Sequence, residues 1–129
     1  MTLMSGFRLS NVRLFSLPER WAATRDFYAE TMGLPVLSSD DDAGIAVFSA
    51  GEITLCVEKV DPLDDDEVVL VGRDTGIGFR VESAQKACES FERLGVEITG
   101  RPEKQGWGGI LMHVEDPAGN VIDIAEYPK

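Results

Sequence analysis

The predicted elements of this chain occur in the same order twice. The segment GEITLCVE (51–58) aligns without a gap on GNVIDIAE (119–126), and FYAETMGLPV (27–36) corresponds with small shifts to FERLGVEI (91–98). A repeated unit of this size cannot bury its apolar face alone, so the two units must share a core. The repeat predicts one α+β domain of two βαβββ modules, in which a curved mixed sheet surrounds a central cavity.

Hydrophobic periodicity and turn residues place the elements of each module. The first module spans about residues 7–60, with a strand in 7–17, a helix in 21–32 ended by Gly33, a short strand before the acidic turn at 40–42, and strands in 44–50 and 52–60. The second spans about residues 75–127, with a strand in 75–82, a helix in 83–94 capped by Ser83, and strands in 96–99, 109–115 and 120–127. The acidic segment between them, residues 61–74, is predicted to be a solvated linker whose EVVLVG either pairs weakly as a strand or docks on the surface.

Length and charge limit the partners of the chain. With 129 residues it is expected to form a single domain over residues 1–129. Its net charge of −11 argues against nucleic acid, which needs a basic face, and suits a cationic ligand, although solubility alone also explains it. No apolar run reaches the ~18 residues of a membrane span, and the N-terminus lacks a signal pattern. We therefore expect no membrane partner and a cytoplasmic location.

Three motifs make the chain similar to a known family: RDFYAETMGLPV, QGWGGILMHVEDPAGNVIDIAEY and the glycine-bounded hairpins. Over residues 8–127 the chain resembles the glyoxalase/bleomycin-resistance/dioxygenase group, also called the vicinal oxygen chelate (VOC) superfamily. It resembles the glyoxalase-like and bleomycin-resistance-like branches more than the extradiol dioxygenases. The turn beginning at Asp116-Pro117 is the most specific part, and its residue types indicate a structural role, because Asp116 can accept hydrogen bonds from the following amides.

The resemblance implies a divalent metal held by four inner strands, at positions that correspond to Asn11, Leu55, Gly76 and Asp123. Leu55 and Gly76 offer no ligating side chain, and the neutral amide of Asn11 is a poor ligand. We therefore expect no standard metal centre and no cofactor.

A non-standard metal site stays open as an alternative. Such a site would use Asp123 and His113, the one histidine of the sequence, with Glu52 or a partner chain.

Alternation along the strands predicts the lining of the cavity. If the four positions face inward, Arg13, Phe15 and Arg80 do so too, and the arginines must pair with Asp123 or with an anionic ligand. Trp107, between glycines, is predicted either as an aromatic platform over a ligand or as a partly buried edge residue. The candidate ligand-binding residues are Asn11, Arg13, Phe15, Leu55, Gly76, Arg80, Trp107, His113 and Asp123.

The leading functional hypothesis is a homodimeric protein that binds a small organic molecule in the sheet cavity or at a dimer cleft, without a standard metal. The first alternative is a metal-dependent lyase, isomerase or dioxygenase with a non-standard ligand set. A metal-free enzyme with Asp123 as the general base is a further alternative. The last is an interaction module whose cavity is vestigial.

Overall fold

A computed structural model describes residues 4–129; residues 1–3 of the predicted domain lie outside the described residues. Each half contributes one four-stranded sheet, and the predicted α+β class with two βαβββ modules is confirmed. The first module contains β1 (Asn11–Ser16), α1 (Pro18–Asp26), β2 (Val36–Asp40), β3 (Ile45–Ala50) and β4 (Ile53–Lys59). A single helical turn, α2 (Asp65–Val68), lies between the modules. The second contains β5 (Asp74–Arg80), α3 (Ala84–Arg93), β6 (Glu97–Lys104), β7 (Ile110–Glu115) and β8 (Val121–Glu126).

The two sheets have the same topology. Their strand orders are β1-β4-β3-β2 and β5-β8-β7-β6, and in each sheet the first strand of the module lies at one edge and pairs in parallel with the last strand. All other pairs are antiparallel. The strands are thus divided between two sheets, and the open face of each sheet is available for a site.

Local sequence explains where the helices begin and end. Pro18 occupies the first turn of α1, and the helix continues through a wider π-helical turn, Phe27–Thr31, before Gly33 takes the left-handed conformation (φ 71°). At α3 the hydroxyl of Ser83 accepts a hydrogen bond from the Lys86 amide at 3.1 Å, as the sequence predicts.

One core joins the two modules. Alternate strand residues face the helices and are buried: Leu14, Phe48, Leu55, Val57, Met112, Val114, Ile122 and Ile124. From α1, Trp21 enters this core and its indole donates to the Val57 carbonyl at 3.0 Å. The intervening strand residues therefore lie on the opposite, open faces.

The Asp116 turn holds the modules together. The hydroxyl of Tyr28, beyond α1, donates to Asp116 Oδ2 at 2.8 Å, and the Asn120 side chain donates to the Phe15 carbonyl at 2.9 Å. The backbone amides of Ala118 and Asn120 donate to Asp116 Oδ1, each at 2.9 Å. Burial raises the pKa of Asp116 despite these donors, and burial beside this carboxylate raises the pKa of Tyr28 well above its ordinary value. The turn is a structural joint.

The segment between the modules differs from one of its predicted forms. EVVLVG forms no strand; it contributes the end of α2 and the turns that follow. The Asp64 side chain accepts from the Asp66 amide at 3.0 Å, so the acidic residues favour this helical turn. Within residues 4–129, no helix is both long enough and apolar enough to cross a membrane.

Candidate ligand-binding face of the second sheet

The open face of the first sheet carries three of the predicted site residues. Asn11, Arg13 and Phe15 alternate along β1 with residues that face the core. Arg13 is ion-paired with Glu58 of β4, and its guanidinium lies 5.2 Å from the centre of the Phe15 ring. The charge of Arg13 is thus compensated on its own sheet.

Leu55 does not belong to the open face, which corrects the prediction. It is 0% exposed and sits in the shared core, because the parallel register pairs it with Val12 and pairs Arg13 with Cys56. A shift of one residue exchanges the two faces of a strand. The run ITLCV is apolar or weakly polar at every position, so its alternation does not reveal which face is buried.

On the open face of the second sheet, His113 and Asp123 lie side by side in one row of residues that runs across the strands. These residues are directly opposite each other on β7 and β8, and His113 Nδ1 lies 2.6 Å from Asp123 Oδ1. Their side chains are 38% and 27% exposed. The row ends in a glycine on each side, since Gly78 pairs with Asp123 and Gly100 pairs with His113.

Gly100 is required for the position of the imidazole. A Cβ at this residue would lie 2.7 Å from His113 Cδ2, closer than real side chains approach. Gly76, another predicted site residue, is exposed and lies where the register of β5 shifts against β8. It contributes open space beside the row and no functional group.

An aromatic cleft lies on the same face, next to the ends of β5 and β8. The Trp107 and Tyr127 rings meet edge to face with centroids 5.6 Å apart, and the Arg80 guanidinium is 4.5 Å from the Tyr127 centroid. With Pro128 these residues line an open cavity of about 530 Å³. Trp107 is 52% and Tyr127 47% exposed, so both rings are accessible. We call this cavity the aromatic cleft.

The sequence reasoning missed Tyr127 and Pro128. Tyr127 follows Asp123 and Ala125 at intervals of two, so extending the alternation of β8 would have found it. Trp107 lies on this face because its ring packs against the backbone of Gly109, where a Cβ would be 1.9 Å from the ring.

The predicted pairing of Asp123 with an arginine is wrong. Arg13 binds Glu58, Arg80 stacks on Tyr127, and Asp123 contacts His113. A directly opposite residue is about 5 Å away between Cβ atoms, whereas a diagonal one is about 7–8 Å away. Arg80 pairs in register with Ala125 and is therefore diagonal to Asp123. His113 is directly opposite Asp123, so it makes the contact with the carboxylate instead of Arg80.

The donor set does not fit the metal centre that the resemblance implies. Of the four positions, Leu55 is in the core, Gly76 has no side chain and Asn11 lies on the other sheet. In the part of the chain that the structure describes, no three His, Cys, Asp or Glu side chains are grouped so as to hold a metal. His113 and Asp123 alone supply fewer ligands than such sites use.

The fold, with its two βαβββ modules, identifies the class of protein to which the chain belongs. The family model of the Glyoxalase/Bleomycin resistance protein/Dioxygenase superfamily matches residues 18–124, and the chain belongs to this superfamily, as its motifs indicated. A curated relative is the protein YraH of Bacillus subtilis (strain 168), 23% identical over 107 residues that cover 77% of this chain and 84% of YraH.

Solved structures confirm the fold. TnmS3, an antibiotic binding protein from Streptomyces sp. CB03234, is 21% identical with a TM-score of 0.76, covering 97% of this chain and 99% of that one. Lactoylglutathione lyase from Agrobacterium tumefaciens is 18% identical with a TM-score of 0.74, covering 95% and 96% of the two chains. Identities this low show a common fold alone.

Proposed function

We propose that this protein binds a small planar organic molecule in the aromatic cleft, without a standard metal centre. The observation that carries the proposal is the pair of half-exposed rings, Trp107 and Tyr127, that wall one cavity together with Arg80. Exposed aromatic rings at a concavity offer large, rigid apolar contact areas for another ring. The fold shared with an antibiotic-binding protein, TnmS3, supports a binding role.

The charges at the aromatic cleft favour a ligand with a negative group. Arg80 makes no ion pair within residues 4–129, and no carboxylate lines the cleft. Lys129 adds a second cation, and Glu82 an anion, to the adjoining cavity on the other side of Arg80. The cleft therefore differs from the chain as a whole, whose net charge of −11 would favour a cation.

Tryptophan fluorescence tests this proposal directly. Trp21 is 4% exposed in the core, so ligand-dependent changes in emission report on Trp107. Titration with 2-naphthoate, 2-naphthol and 2-naphthylmethylamine compares an anion, a neutral molecule and a cation of similar shape. We expect saturable quenching that is strongest for naphthoate, lost in Trp107→Phe and weakened about tenfold in Arg80→Gln, equivalent to about 1.4 kcal/mol.

Leu63→Ala is the matched control, since Leu63 is an exposed apolar residue outside the cleft. Its titrations should match those of the unmodified protein. A lack of saturable change with all three naphthalene probes would contradict the proposal.

Metal analysis discriminates the enzymatic alternative. We expect the purified protein to carry less than stoichiometric zinc, nickel, manganese or iron, because within residues 4–129 no three His, Cys, Asp or Glu side chains are grouped so as to hold a metal. A stoichiometric metal that Asp123→Ala removes would instead support a metal-dependent lyase, isomerase or dioxygenase.

We also propose that the protein is a cytoplasmic homodimer. Exposed apolar residues Val36, Leu37 and Ile45 on β2 and β3 support a contact between copies at the edge of the first sheet. Sedimentation velocity should give the mass of two chains, and Leu37→Lys should shift the equilibrium toward the monomer. A monomer at all concentrations would contradict the dimer and leave the aromatic cleft unaffected.

A further inference from the structure

We infer that the aromatic cleft is one end of a longer groove, and that the other end of this groove binds a phosphate group. The groove consists of three adjoining cavities: the aromatic cleft, a middle cavity beside Arg80, and an end cavity against α3. The inference rests on the proposed function, because the ring of the bound molecule must lie in the aromatic cleft. The ligand class is a planar aromatic ring joined by a short spacer to a phosphomonoester.

The three cavities share their walls. Arg80 and Tyr127 line both the aromatic cleft and the middle cavity, whose volume is about 490 Å³. Glu82 and Lys129 line both the middle cavity and the end cavity, whose volume is about 390 Å³. The groove follows the ends of β5 and β8, and β5 is the edge strand of its sheet. Two residues of extended chain span at most about 7 Å, so Lys129 is within reach of a molecule whose ring contacts Tyr127.

The groove is cationic although the chain is acidic. Arg80, Lys86 and Lys129 line it, and none of them makes an ion pair within residues 4–129. Among the described side chains that line the three cavities, Glu82 is the only carboxylate. A cavity between the end of the α1 segment and β6 has the opposite character and is lined by Asp26, Glu30, Glu97, Glu115 and Asp116. Cationic walls in a chain of net charge −11 mark the groove as a region that attracts anions.

One face of α3 adds hydrogen-bond donors to the end cavity. Ser83, Lys86 and Ser90 follow each other at the spacing of a single helix face, and all three line this cavity. The Ser83 hydroxyl oxygen accepts from the Lys86 amide at 3.1 Å, and the Ser90 hydroxyl oxygen accepts from the Arg93 guanidinium at 3.0 Å. Neither hydroxyl donates to an acceptor within residues 4–129, so both O–H groups are free to donate to a ligand.

A phosphomonoester matches this set of groups. It carries a charge of about −1.5 to −2 at pH 7 and three strong acceptor oxygens, while ammonium groups and free hydroxyls are donors. The backbone amides at the start of α3 are already used, because the Ala84 amide donates to Glu126 at 2.9 Å and the Lys86 amide donates to Ser83. Side chains therefore supply the donors of the proposed phosphate subsite.

Three naphthalene probes test the length and charge of the groove. Trp107 emission is followed during titration with 2-(2-naphthyl)ethyl phosphate, 2-(2-naphthyl)ethanol and 2-naphthoate. The first probe reaches the end cavity with an anion, the second has no charge, and the third holds its anion next to the ring. We expect the phosphate to bind about tenfold more tightly than the alcohol, and added salt to weaken the phosphate most.

Charge variants show which residues recognise the phosphate. Lys86→Gln and Lys129→Gln should each weaken binding of the phosphate about threefold and leave binding of 2-naphthoate unchanged. Glu82→Gln should strengthen binding of the phosphate about twofold, because it removes the one opposing carboxylate. Arg20→Gln and Glu19→Gln are the matched controls, since they remove the same charges at exposed positions of α1, outside the groove, and should leave all affinities unchanged. Thermal unfolding checks that each variant is folded.

Amide signals place the phosphate independently of fluorescence. In ¹H–¹⁵N spectra, 2-(2-naphthyl)ethyl phosphate should shift the signals of Ser83, Lys86 and Ser90. We expect 2-naphthoate to leave these three signals in place, because its carboxylate lies beside its ring.

The outcomes distinguish the two proposals. Quenching of Trp107, with a preference for the phosphate that depends on Lys86 and Lys129, supports both. Quenching with no preference for the phosphate overturns the phosphate subsite and keeps the aromatic cleft. A preference that survives replacement of both lysines, or that Arg20→Gln lowers equally, has the same consequence. Shifts along α3 without quenching overturn the aromatic cleft and the joined groove, and a lack of both responses overturns both proposals.

Discussion

Replacing Tyr28 by phenylalanine removes the one hydroxyl that ties the first module to the Asp116 turn. Tyr28 is 0% exposed, and its ring packs at centroid distances of 5.0, 6.3 and 6.5 Å from Phe27, Phe48 and Phe79. Phenylalanine keeps these ring contacts. The loss is therefore confined to the 2.8 Å hydrogen bond and the volume of one oxygen atom.

The expected loss of unfolding free energy follows from the hydrogen bonds that Asp116 retains in the variant. Its carboxylate retains the amides of Ala118 and Asn120 and the Asn120 side chain at 3.1 Å. A hydrogen bond to a charged group contributes about 1.5–3 kcal/mol, and since three donors remain we expect Tyr28→Phe to lower the free energy of unfolding by about 2 kcal/mol at neutral pH.

The loss should depend on pH with a definite sign. Burial raises the pKa of Asp116 above its ordinary value of 3.8, and the Tyr28 hydroxyl lowers that pKa in part. A raised folded pKa means that Asp116 contributes stability below its unfolded pKa and loses this contribution as the pH rises through the folded pKa. Removing the hydroxyl penalises the charged form further. The destabilisation by Tyr28→Phe is thus largest above the folded pKa and shrinks on acidification.

Urea unfolding of the two proteins at neutral and acidic pH measures both effects. Tyr127→Phe is the matched control, because Tyr127 is half-exposed and its hydroxyl has no hydrogen-bond partner within residues 4–129. It should change the unfolding free energy by less than about 0.5 kcal/mol. Equal effects of the two substitutions, or a Tyr28→Phe deficit that grows with acid, would refute the reasoning.

Three further substitutions test which face of β4 is buried, the cap of α3 and the packing of His113 on Gly100. Leu55→Ala should lower the free energy of unfolding by about 2–5 kcal/mol because the side chain is in the core. Cys56→Ala, on the other face of β4, should lower it by less than about 1 kcal/mol, and equal urea midpoints for the two variants would contradict the register of β4. By the same assay, Ser83→Ala should lower the free energy of unfolding by about 1 kcal/mol, whereas Gln85→Ala, at an exposed position, should leave it almost unchanged. A Ser83→Ala variant as stable as the unmodified protein would argue against the cap of α3. Gly100→Ala should displace the imidazole and shift its NMR signals, unlike Gly106→Ala, which has open space; an unshifted imidazole would show that the ring does not pack on Gly100.

Local signals in the sequence predicted the elements. Ser83 caps α3 and Gly33 ends the helical segment after α1, because these preferences depend on a few neighbouring residues. Asp123 between Ile122 and Ile124 marks the two faces of β8 unambiguously, since both isoleucines are buried and Asp123 is not. No such contrast exists in β4, which is why Leu55 was assigned to the wrong face.

Contacts across strands could not be predicted in the same way. Which side chain meets Asp123 depends on the register of β7 against β8, and residues ten positions apart meet there. The register shift in β5 between Asp74 and Gly78 also changes the neighbours of Gly76, and no local pattern in the sequence reveals it.

The separation of the two faces explains how this chain combines a family fold with an unfamiliar donor set. The core is built from one face of each strand and from the Tyr28–Asp116 joint, and these contacts do not involve Asn11, Gly76 or Asp123. Residues on the open faces can therefore change at little cost to the core, because exposed substitutions usually alter stability by less than about 0.5 kcal/mol. The residues of the proposed binding site, Arg80, Trp107 and Tyr127, lie on the open face of the second sheet, where substitution is compatible with an unchanged core.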